Sequence, residues 1–356
     1  MAERIIQFGT SRFLQAHADL FIHEAREAGQ HVGPITVVKA TRGGERANRV
    51  SAFSAEAGFP VIIRGLFGTN VGESGYAAFP DVKIELPSGN EVPLGFPAKR
   101  LSLLVARFRS GGQPMLILPC ELVPENGKVL RQILVDLAQK WKLDKGFNTW
   151  LASEITICDT LVDRIVSEAI EPVGAIAEPY ALWAIRREAT YDIPFSHPAV
   201  VVTDGLEPFV RLKLHIINLG HSFLAEIWQS EKRPATETVR DILGDAAIKM
   251  RLTDLYAEEA TAGFAGHGMK EAAVTYVETT IDRFDNPFIN HKLSDIFQNR
   301  SHKIERRVVD FIAWIKTRSS TANVTKLLAL SKAWACCSSI LFERAIRGKH
   351  LWICGD

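Results

Sequence analysis

The chain has 356 residues, of which 47% are hydrophobic and 23% charged, so its composition is that of a globular protein and excludes disordered and collagen-like proteins. At about 150 residues per domain, this length predicts two domains, each with its own core. Lys and Arg total 42 against 41 Asp and Glu, a net charge of +1, which argues against a nucleic-acid partner and leaves small-molecule partners open.

The cysteines and the hydropathy pattern favour a cytoplasmic protein with no membrane partner. The five cysteines are odd in number and form no CxxC pair, which is typical of buried thiols in a reducing compartment. They lie at Cys120, Cys158, Cys336, Cys337 and Cys354. The sequence shows neither a signal-peptide-like segment nor an apolar stretch of about 18 residues.

Alternating strands and helices predict an α/β domain with a parallel sheet in the first part of the chain. Strand-like apolar runs lie at residues 4–9, 34–40, 113–120 and 199–204, the last of them expected to be buried. Amphipathic helices are predicted at 10–28 and 128–142.

After Gly205 the pattern becomes almost entirely helical, which predicts a second, all-helical domain. Helices are expected at 209–228, 235–245, 247–262, 268–280, 291–297, 302–316, 322–330 and 332–347. We therefore place the domain boundary near residue 206, between an α/β domain at 1–206 and a helical domain at 207–356.

The turn after the first predicted strand is a candidate dinucleotide site. It reads Gly9-Thr10-Ser11-Arg12-Phe13-Leu14, in which only the first glycine of the GxGxxG pattern is present. Ser11 is small enough for the second glycine position, whereas Leu14 occupies the third. Such a turn presents a pyrophosphate to the N-terminus of the following helix, although an ordinary strand-to-helix turn has the same pattern.

The residues after the second predicted strand leave the choice between NAD and NADP open. An acidic residue there would bind the adenosine ribose of NAD, but the sequence has Arg42 and no Asp or Glu. Arg42 is consistent with a contact to a 2′-phosphate, with stacking on adenine and with a solvated loop.

Three polar residues interrupt an apolar helix at the start of the second domain: Lys213, Asn218 and His221. On an ideal helix, steps of about 100° place Asn218 at about 140° and His221 at about 80° from Lys213. A desolvated lysine can transfer a proton near neutral pH, an amide can donate to a developing alkoxide, and a histidine can orient a hydroxyl group. A snorkelling lysine with two packing residues is the alternative.

The spacing Lys213-x4-Asn218-x2-His221 resembles the catalytic signature of the polyol-specific long-chain dehydrogenases, which include mannitol dehydrogenases, fructuronate reductases and tagaturonate reductases. Other segments are similar to the family in the same order, so the resemblance spans roughly residues 4–315. There are four such segments. In chain order they are residues 6–9 together with 13–16; residues 119–122 together with Asn126 and Gly127; residues 160–165; and residues 283–288 together with His291 and Lys303.

The resemblance implies a Rossmann-type domain followed by an all-helical domain (6-phosphogluconate-dehydrogenase-like), with the active site in the cleft and no metal. It implies that Lys213 is the general acid/base, that Asn218 and Asn126 donate to the carbonyl oxygen, and that His221 holds the substrate. Residues implied to bind the cofactor, NAD with NADP possible, are Gly9, Thr10, Ser11, Arg12, Phe13, Arg42, Cys120 and Asp163. Those implied to line the substrate side are Arg283, Asn286, His291 and Lys303.

Two features depart from the family pattern or allow another interpretation. Some relatives carry a carboxylate two or three residues before the lysine, where this sequence has Arg211 and Val210, so a proton path would use Glu207 or water. Asp163 is also consistent with a structural brace to Arg164.

The family resemblance implies oxidation of a secondary alcohol to a ketone on a sugar acid or polyol, and the reverse reaction. The sequences of residues 119–122 and 160–166 are most similar to those of tagaturonate reductases. These enzymes interconvert a ketone and altronate, whereas fructuronate reductases form mannonate. Arg283, Lys303 and Arg64 are candidate partners for a substrate carboxylate. Alternatives are a mannitol or polyol-phosphate dehydrogenase and a non-catalytic dinucleotide sensor, as a monomer or homodimer.

Overall fold

The computed structural model describes residues 5–38, 52–53, 58–67, 70–78, 83–84, 96–189 and 191–335. The chain divides into two compact units, Met1–Leu206 and Glu207–Asp356, which we describe in turn. Arg42 lies outside the described residues, as do Cys336, Cys337 and Cys354. Within the described ranges, the helices are too short or too polar to span a bilayer.

The first unit begins with the predicted strand–helix–strand pattern. Strand β1 (Ile5–Phe8) pairs in parallel with β2 (Ile35–Val38), which pairs in parallel with β5 (Lys83–Ile84). Helix α1 connects β1 and β2 and has three parts: Arg12–Leu14, a π turn over Gln15–Asp19, and Leu20–Glu27. The sequence pattern in this region therefore predicted the local fold.

The remaining strands of the first unit form three further sheets. The four-stranded sheet has the order β4-β3-β10-β9, and its strands are β3 (Phe59–Phe67), β4 (Asn70–Ala78), β9 (Val166–Ala169) and β10 (Ala175–Ala177). The three-stranded sheet has the order β12-β11-β8, and its strands are β8 (Thr160–Asp163), β11 (Leu182–Arg186) and β12 (Val200–Thr203). Strands β6 (Met115–Ile117) and β7 (Ile155–Ile157) form a parallel pair.

Three longer helices complete the first unit: α2 (Phe96–Arg109), α3 (Asn126–Lys140) and α4 (Lys145–Ser153). They share an apolar core with the β6–β7 pair, in which Leu101, Leu134 and Phe147 are fully buried. Helix α4 is capped by Asp144, whose carboxylate accepts from the backbone N–H of Phe147 at 2.7 Å.

Two strands differ from the prediction. The run 113–120 forms only the three residues of β6, since Pro114 and Pro119 flank it and lack the N–H groups that a ladder needs. Strand β12 is not buried as expected: its residues are half-buried or exposed, and Val202 is 37% exposed.

The second unit consists of helices, two of its residues forming an isolated β-bridge, Thr238 with Lys292. Helix α5 comprises Glu207–Leu212, a π turn over Lys213–Ile217, and Asn218–Ser230. The helices that follow are α6 (Val239–Leu243), α7 (Ala246–Leu255, a π turn over Tyr256–Ala260, and Thr261–Ala265), α8 (Lys270–Phe284), α9 (Leu293–Phe297), α10 (Arg300–Ile304, a π turn over Glu305–Val309, and Asp310–Lys316) and α11 (Thr325–Ala335).

The break predicted at residue 331 is wrong, because α11 continues through it. Ser331 is buried, and its hydroxyl donates to Leu328 O at 2.8 Å, as serine does inside a helix. The N-terminus of α11 is held by the buried Glu259, which accepts from the backbone N–H of Lys326 at 2.6 Å and of Leu327 at 2.9 Å. Tertiary contacts therefore fix where this helix begins.

Helices α5 and α7 approach closely at Gly220. A Cβ atom there would overlap the Tyr256 hydroxyl and lie 3.0 Å from Phe284 Cε2. The Tyr256 hydroxyl donates to Ile216 O at 2.9 Å, inside the π turn of α5. Only glycine at position 220 leaves room for this hydrogen bond.

We expect Gly220→Ala to lower the free energy of unfolding by about 1–3 kcal/mol, the usual cost of overpacking a core. Urea unfolding followed by circular dichroism measures the change. Gly205→Ala is the matched control, because nothing lies within 4 Å of a Cβ atom at Gly205, and its free energy of unfolding should change by less than about 1 kcal/mol. Equal stability of the Gly220→Ala variant and the parent protein would contradict this account of the contact.

Candidate active site

The π turn of α5 changes the relative directions of the three predicted catalytic residues. The backbone N–H of Asn218 bonds to Lys213 O, so one extra residue is inserted into the helical turn. One extra residue rotates everything after it by about 100° relative to an ideal helix, which moves Asn218 to about 40° and His221 to about −20° from Lys213. The π turn therefore brings all three residues onto one face of α5.

His221 is buried, with 6% of its surface exposed, and one of its ring nitrogens is unsatisfied. Its ring centroid lies 4.7 Å from that of His291 and 4.8 Å from that of Phe284, and Nε2 has no hydrogen-bond partner within the part of the chain that the structure describes. Burial lowers the pKa of His221 well below 6.5, and the positive groups around it lower it further. The imidazole is therefore neutral at physiological pH and can donate or accept one hydrogen bond at each nitrogen.

The groups that lower the pKa of His221 electrostatically are four basic side chains, which we call the basic cluster: His291, Arg307, Arg283 and Lys303. Three of them belong to the residues that the sequence predicted for the substrate side. The fourth predicted residue, Asn286, is also buried, and its Oδ1 accepts from the backbone N–H of Phe288 at 3.0 Å. Asn286 thus shapes the turn that follows Arg283.

Arg307 was missed by the sequence reasoning. It lies in the π turn of α10, and its Nη1 donates to Asn218 O at 3.1 Å and to Ser222 Oγ at 3.0 Å. Burial lowers the pKa of Arg307 to about 10, so the guanidinium is charged at neutral pH. The available signal was its spacing: Arg307 follows Lys303 by four residues and therefore lies near the same helix face.

His215 lies inside the π turn of α5 and is a structural residue. Its ring stacks on Phe311 with centroids 4.4 Å apart, Nδ1 lies 3.3 Å from Arg307 O, and Nε2 lies 3.3 Å from Nη1 of Arg211. Burial lowers the pKa of His215 to about 3, so the ring is neutral. An arginine can only donate, so Nε2 is the acceptor and Nδ1–H donates to the carbonyl.

Glu207, the residue considered for a proton path, contacts Arg211, which occupies a position where some relatives carry a carboxylate. Arg211 Nε lies 3.3 Å from Glu207 Oε1, and the glutamate side chain is 68% exposed. Arg211 also covers the Trp314 ring at 5.1 Å. These contacts favour a bracing role for Arg211 at the start of α5.

The nucleotide turn of the first unit has the backbone geometry that a pyrophosphate site needs. Gly9 is buried and has φ +118°, which favours glycine, and its N–H bonds to Val38 O at 3.0 Å. Ser11 caps α1 by accepting from Leu14 N–H at 3.3 Å. The first backbone N–H bonded within the helix is that of Gln15, which donates to Ser11 O at 3.2 Å, so the N–H groups of Arg12 and Phe13 are available to an anion and this turn fits a dinucleotide.

The side chains of Arg12 and Phe13 contact the first unit itself. Arg12 Nη1 donates to Ser167 O at 3.4 Å, and the Phe13 ring stacks on His17 with centroids 4.7 Å apart. The Thr10 carbonyl accepts from Gln15 Nε2 at 3.2 Å. These contacts fix the turn against the sheet and the following π turn.

The side-chain amide of Asn126 hydrogen-bonds to neighbouring residues of the first unit. Its Nδ2 lies 3.2 Å from Pro119 O, 3.1 Å from Glu121 O and 3.2 Å from Thr160 Oγ1, while Oδ1 accepts from Thr160 N–H at 2.9 Å. An amide has two N–H donors, and three acceptors already surround them. This geometry favours closure of the loop before α3 onto β8, and donation to a substrate would require one of these bonds to break.

The remaining predicted cofactor residues are buried or half-buried near that loop. Burial raises the pKa of the Cys120 thiol to about 12, so it is protonated, and Sγ lies 3.9 Å from Leu118 O. Asp163 is buried at the end of β8. Arg164 donates to Glu178 O at 2.8 Å and to Ala16 O at 2.6 Å, which identifies it as a brace between the sheet and α1.

Among the described residues, no three His, Cys, Asp or Glu side chains lie together in a way that could hold a metal ion. A metal-free mechanism remains a prediction from the sequence.

Two family models match the chain over most of its length. The mannitol dehydrogenase Rossmann domain matches residues 13–193, and the mannitol dehydrogenase C-terminal domain matches residues 205–337. These matches confirm the predicted fold class, a Rossmann-type domain followed by a helical domain.

Curated relatives include altronate oxidoreductases from several bacteria. The protein from Halalkalibacterium halodurans is 26% identical over 88% of this chain and 72% of its own length. The Bacillus subtilis protein is 25% identical over 86% of this chain and 73% of its own length. The Cronobacter sakazakii protein is 27% identical over 86% of this chain and 74% of its own length.

Two solved structures share the fold. D-sorbitol dehydrogenase in substrate-free form has a TM-score of 0.76 at 14% identity and covers 98% of this chain and 81% of that chain. The ternary complex of Pseudomonas fluorescens mannitol 2-dehydrogenase with NAD and D-mannitol has a TM-score of 0.65 at 16% identity, covering 94% and 79%.

The buried, neutral His215 makes stability depend on pH. Its pKa is about 3 in the folded protein against 6.5 in the unfolded chain, so below pH 6.5 the unfolded state binds more protons. The contribution is present above pH 6.5 and is lost as the pH falls towards 3. His215→Phe should reduce the slope of unfolding free energy against pH between pH 6 and 4 by about 1.4 kcal/mol per unit.

Urea titrations at several pH values measure this slope, whatever the stability offset of the variant at pH 7. His302→Phe is the control, because His302 is an exposed histidine on α10. An unchanged slope in the His215→Phe variant would contradict the assignment.

Proposed function

We propose a function from one premise: the chain belongs to the mannitol dehydrogenase family. On that premise it interconverts a secondary alcohol and a ketone on a sugar acid, with a nicotinamide dinucleotide as hydride carrier. The observation that carries this proposal is the π turn of α5, since its extra residue would turn Lys213, Asn218 and His221 towards one helix face, and the basic cluster surrounds His221. Residues 1–206 would serve as the dinucleotide-binding domain and residues 207–356 as the substrate domain.

Lys213 is assigned the proton transfer. In alcohol oxidation its amine takes the proton of the reacting hydroxyl group, and in ketone reduction the ammonium returns that proton to the oxygen. The hydride leaves from the carbon atom that carries this hydroxyl group. Oxidation therefore removes one hydrogen from oxygen as a proton and one from carbon as a hydride. Lys213 is half-buried on α5, where proton exchange with solvent and contact with a substrate are both feasible.

Asn218 and His221 are assigned to the oxygen on which charge develops. An amide N–H aimed at this oxygen stabilises the alkoxide-like transition state, typically by about 3 kcal/mol. The neutral His221 adds a hydrogen bond without adding a further positive charge. Arg307 holds the Asn218 carbonyl and thereby fixes the part of the helix that presents both groups.

NAD is the proposed cofactor. A bound nicotinamide ring supplies the hydride acceptor in oxidation and the hydride donor in reduction. Gly9, Ser11 and the first N–H groups of α1 would hold its pyrophosphate, as the backbone geometry of the turn supports. The alternative, NADP, depends on Arg42.

The proposed substrate class is a sugar acid, with altronate as the leading candidate. Two observations support it: the three basic side chains Arg283, Lys303 and Arg307 around His221, and the name altronate oxidoreductase carried by the relatives. The direct test measures NADH formation from altronate, mannonate, mannitol and a polyol phosphate. Altronate should give the highest kcat/KM, and turnover of mannitol alone would overturn the assignment.

Lys213→Ala should lower kcat for altronate oxidation by about 100- to 10,000-fold, the usual contribution of general acid–base catalysis. NAD binding, followed by protein fluorescence, should stay within about twofold, because the nucleotide turn is remote in sequence and untouched. Lys316→Ala, an exposed lysine on α10, controls for loss of surface charge and should retain full activity. A Lys213→Ala enzyme with parental kcat would eliminate the mechanism.

A further inference from the structure

Arg307 uses only one side of its guanidinium group within the fold. Both of its hydrogen bonds come from Nη1, to Asn218 O at 3.1 Å and to Ser222 Oγ at 3.0 Å. The opposite side is formed by Nε–H and the two Nη2 hydrogens. In the part of the chain that the structure describes, it has no hydrogen-bond acceptor. That side is the fork that pairs with both oxygens of a carboxylate.

The charge of Arg307 is likewise not neutralised by any carboxylate of the described residues. Arg307 is half-buried, and removing an unpaired charge from part of its water is costly unless a partner arrives, which is the situation of a preformed ligand site. Lys303, another basic side chain of α10, donates to the Ile296 carbonyl at 2.7 Å and has no carboxylate partner in those ranges either. Two cations of one helix thus face this region without counter-ions.

Arg307 also influences the protonation of three neighbouring side chains. Its field lowers the pKa values of His221, His291 and Lys303, so it lies close to all three. His221 Nε2 and His291 Nδ1 are buried without partners in the described part of the chain. Unsatisfied polar nitrogens beside unpaired cations indicate a site that an anionic, hydrogen-bonding ligand completes.

We propose that Arg307 determines substrate specificity by pairing its free Nε/Nη2 edge with the carboxylate of a sugar acid, so that the protein selects aldonates over uncharged polyols. The inference rests on the proposed function and extends it to a residue that the catalytic triad of Lys213, Asn218 and His221 does not include. Because Nη1 is anchored to Asn218 and Ser222, the carboxylate is held at a fixed distance from the reacting groups of α5.

The test compares altronate with the uncharged hexitol of the same hydroxyl configuration. Arg307→Met removes the Nη1 bonds to Asn218 and Ser222 and should slow both reactions, but kcat/KM should fall about 30-fold or more further for altronate than for the hexitol, mainly through KM. Arg307→Lys keeps the charge but loses the fork and should lie between the two. Arg318→Met removes an exposed arginine instead and should alter neither substrate.

A residue that only braced α5 would give a different pattern. Equal losses on both substrates in Arg307→Met, or an unchanged kcat/KM for altronate, would overturn the proposal. Should neither variant fold, the unaltered protein supplies the decision: its kcat/KM for altronate should exceed that for the hexitol by about 30-fold or more. Equal kcat/KM values for the two substrates would overturn it as well.

A calorimetric titration separates this inference from the proposed function. Altronate is titrated into the protein, with and without NADH, for the parent and the Arg307 variants. Binding that falls about 30-fold or more in Arg307→Met without any turnover by the parent would retain the carboxylate site and refute the dehydrogenase activity. Turnover of altronate with binding that does not depend on Arg307 would retain the dehydrogenase activity and refute the carboxylate site.

Discussion

The arrangement of the candidate site depends on one extra residue in helix α5. A π turn over Lys213–Ile217 replaces regular hydrogen bonds of the helix, and such turns are rare because they sacrifice backbone geometry. Here tertiary donors stabilise it: the Tyr256 hydroxyl bonds to Ile216 O, and Arg307 bonds to Asn218 O. His215 fills the interior of the turn by stacking on Phe311. The core of the helical unit therefore maintains the geometry that the chemistry needs.

The electrostatics of the site follow from the same packing. The net charge of +1 gives no hint of an anionic ligand, because the basic groups that matter are few and lie together in one part of the helical unit. Burial keeps His221 neutral, while Arg307 stays charged at neutral pH although its pKa is lowered. A neutral hydrogen-bonding ring surrounded by cations suits a substrate that carries both hydroxyl groups and a carboxylate. On the proposed function, the local field and not the total charge would select the substrate.

The sequence predicted those features that depend on short-range patterns. The β1–α1–β2 unit was predicted because apolar runs alternate with a glycine turn and an amphipathic helix, and the change to helices after Gly205 was equally visible. The π turn could not be predicted, since the pattern of residues 209–228 is that of one regular helix and the contacts that stabilise the irregularity come from Tyr256 and Arg307, far away in the chain. Asn126 appeared as a donor to a substrate because pattern alone does not reveal the loop carbonyls that its amide contacts. Arg307 was missed because its partners lie on another helix.

The central claim is that the π turn presents Lys213 to a hydroxyl group of a sugar acid whose carboxylate lies against the basic cluster. A crystal structure of the protein with altronate and NAD tests it most directly. The account predicts that Lys213 Nζ lies about 3 Å from the reacting hydroxyl oxygen, with the carboxylate paired to the Nε/Nη2 edge of Arg307. A bound altronate whose hydroxyl groups are all beyond hydrogen-bond distance of Lys213 would contradict it.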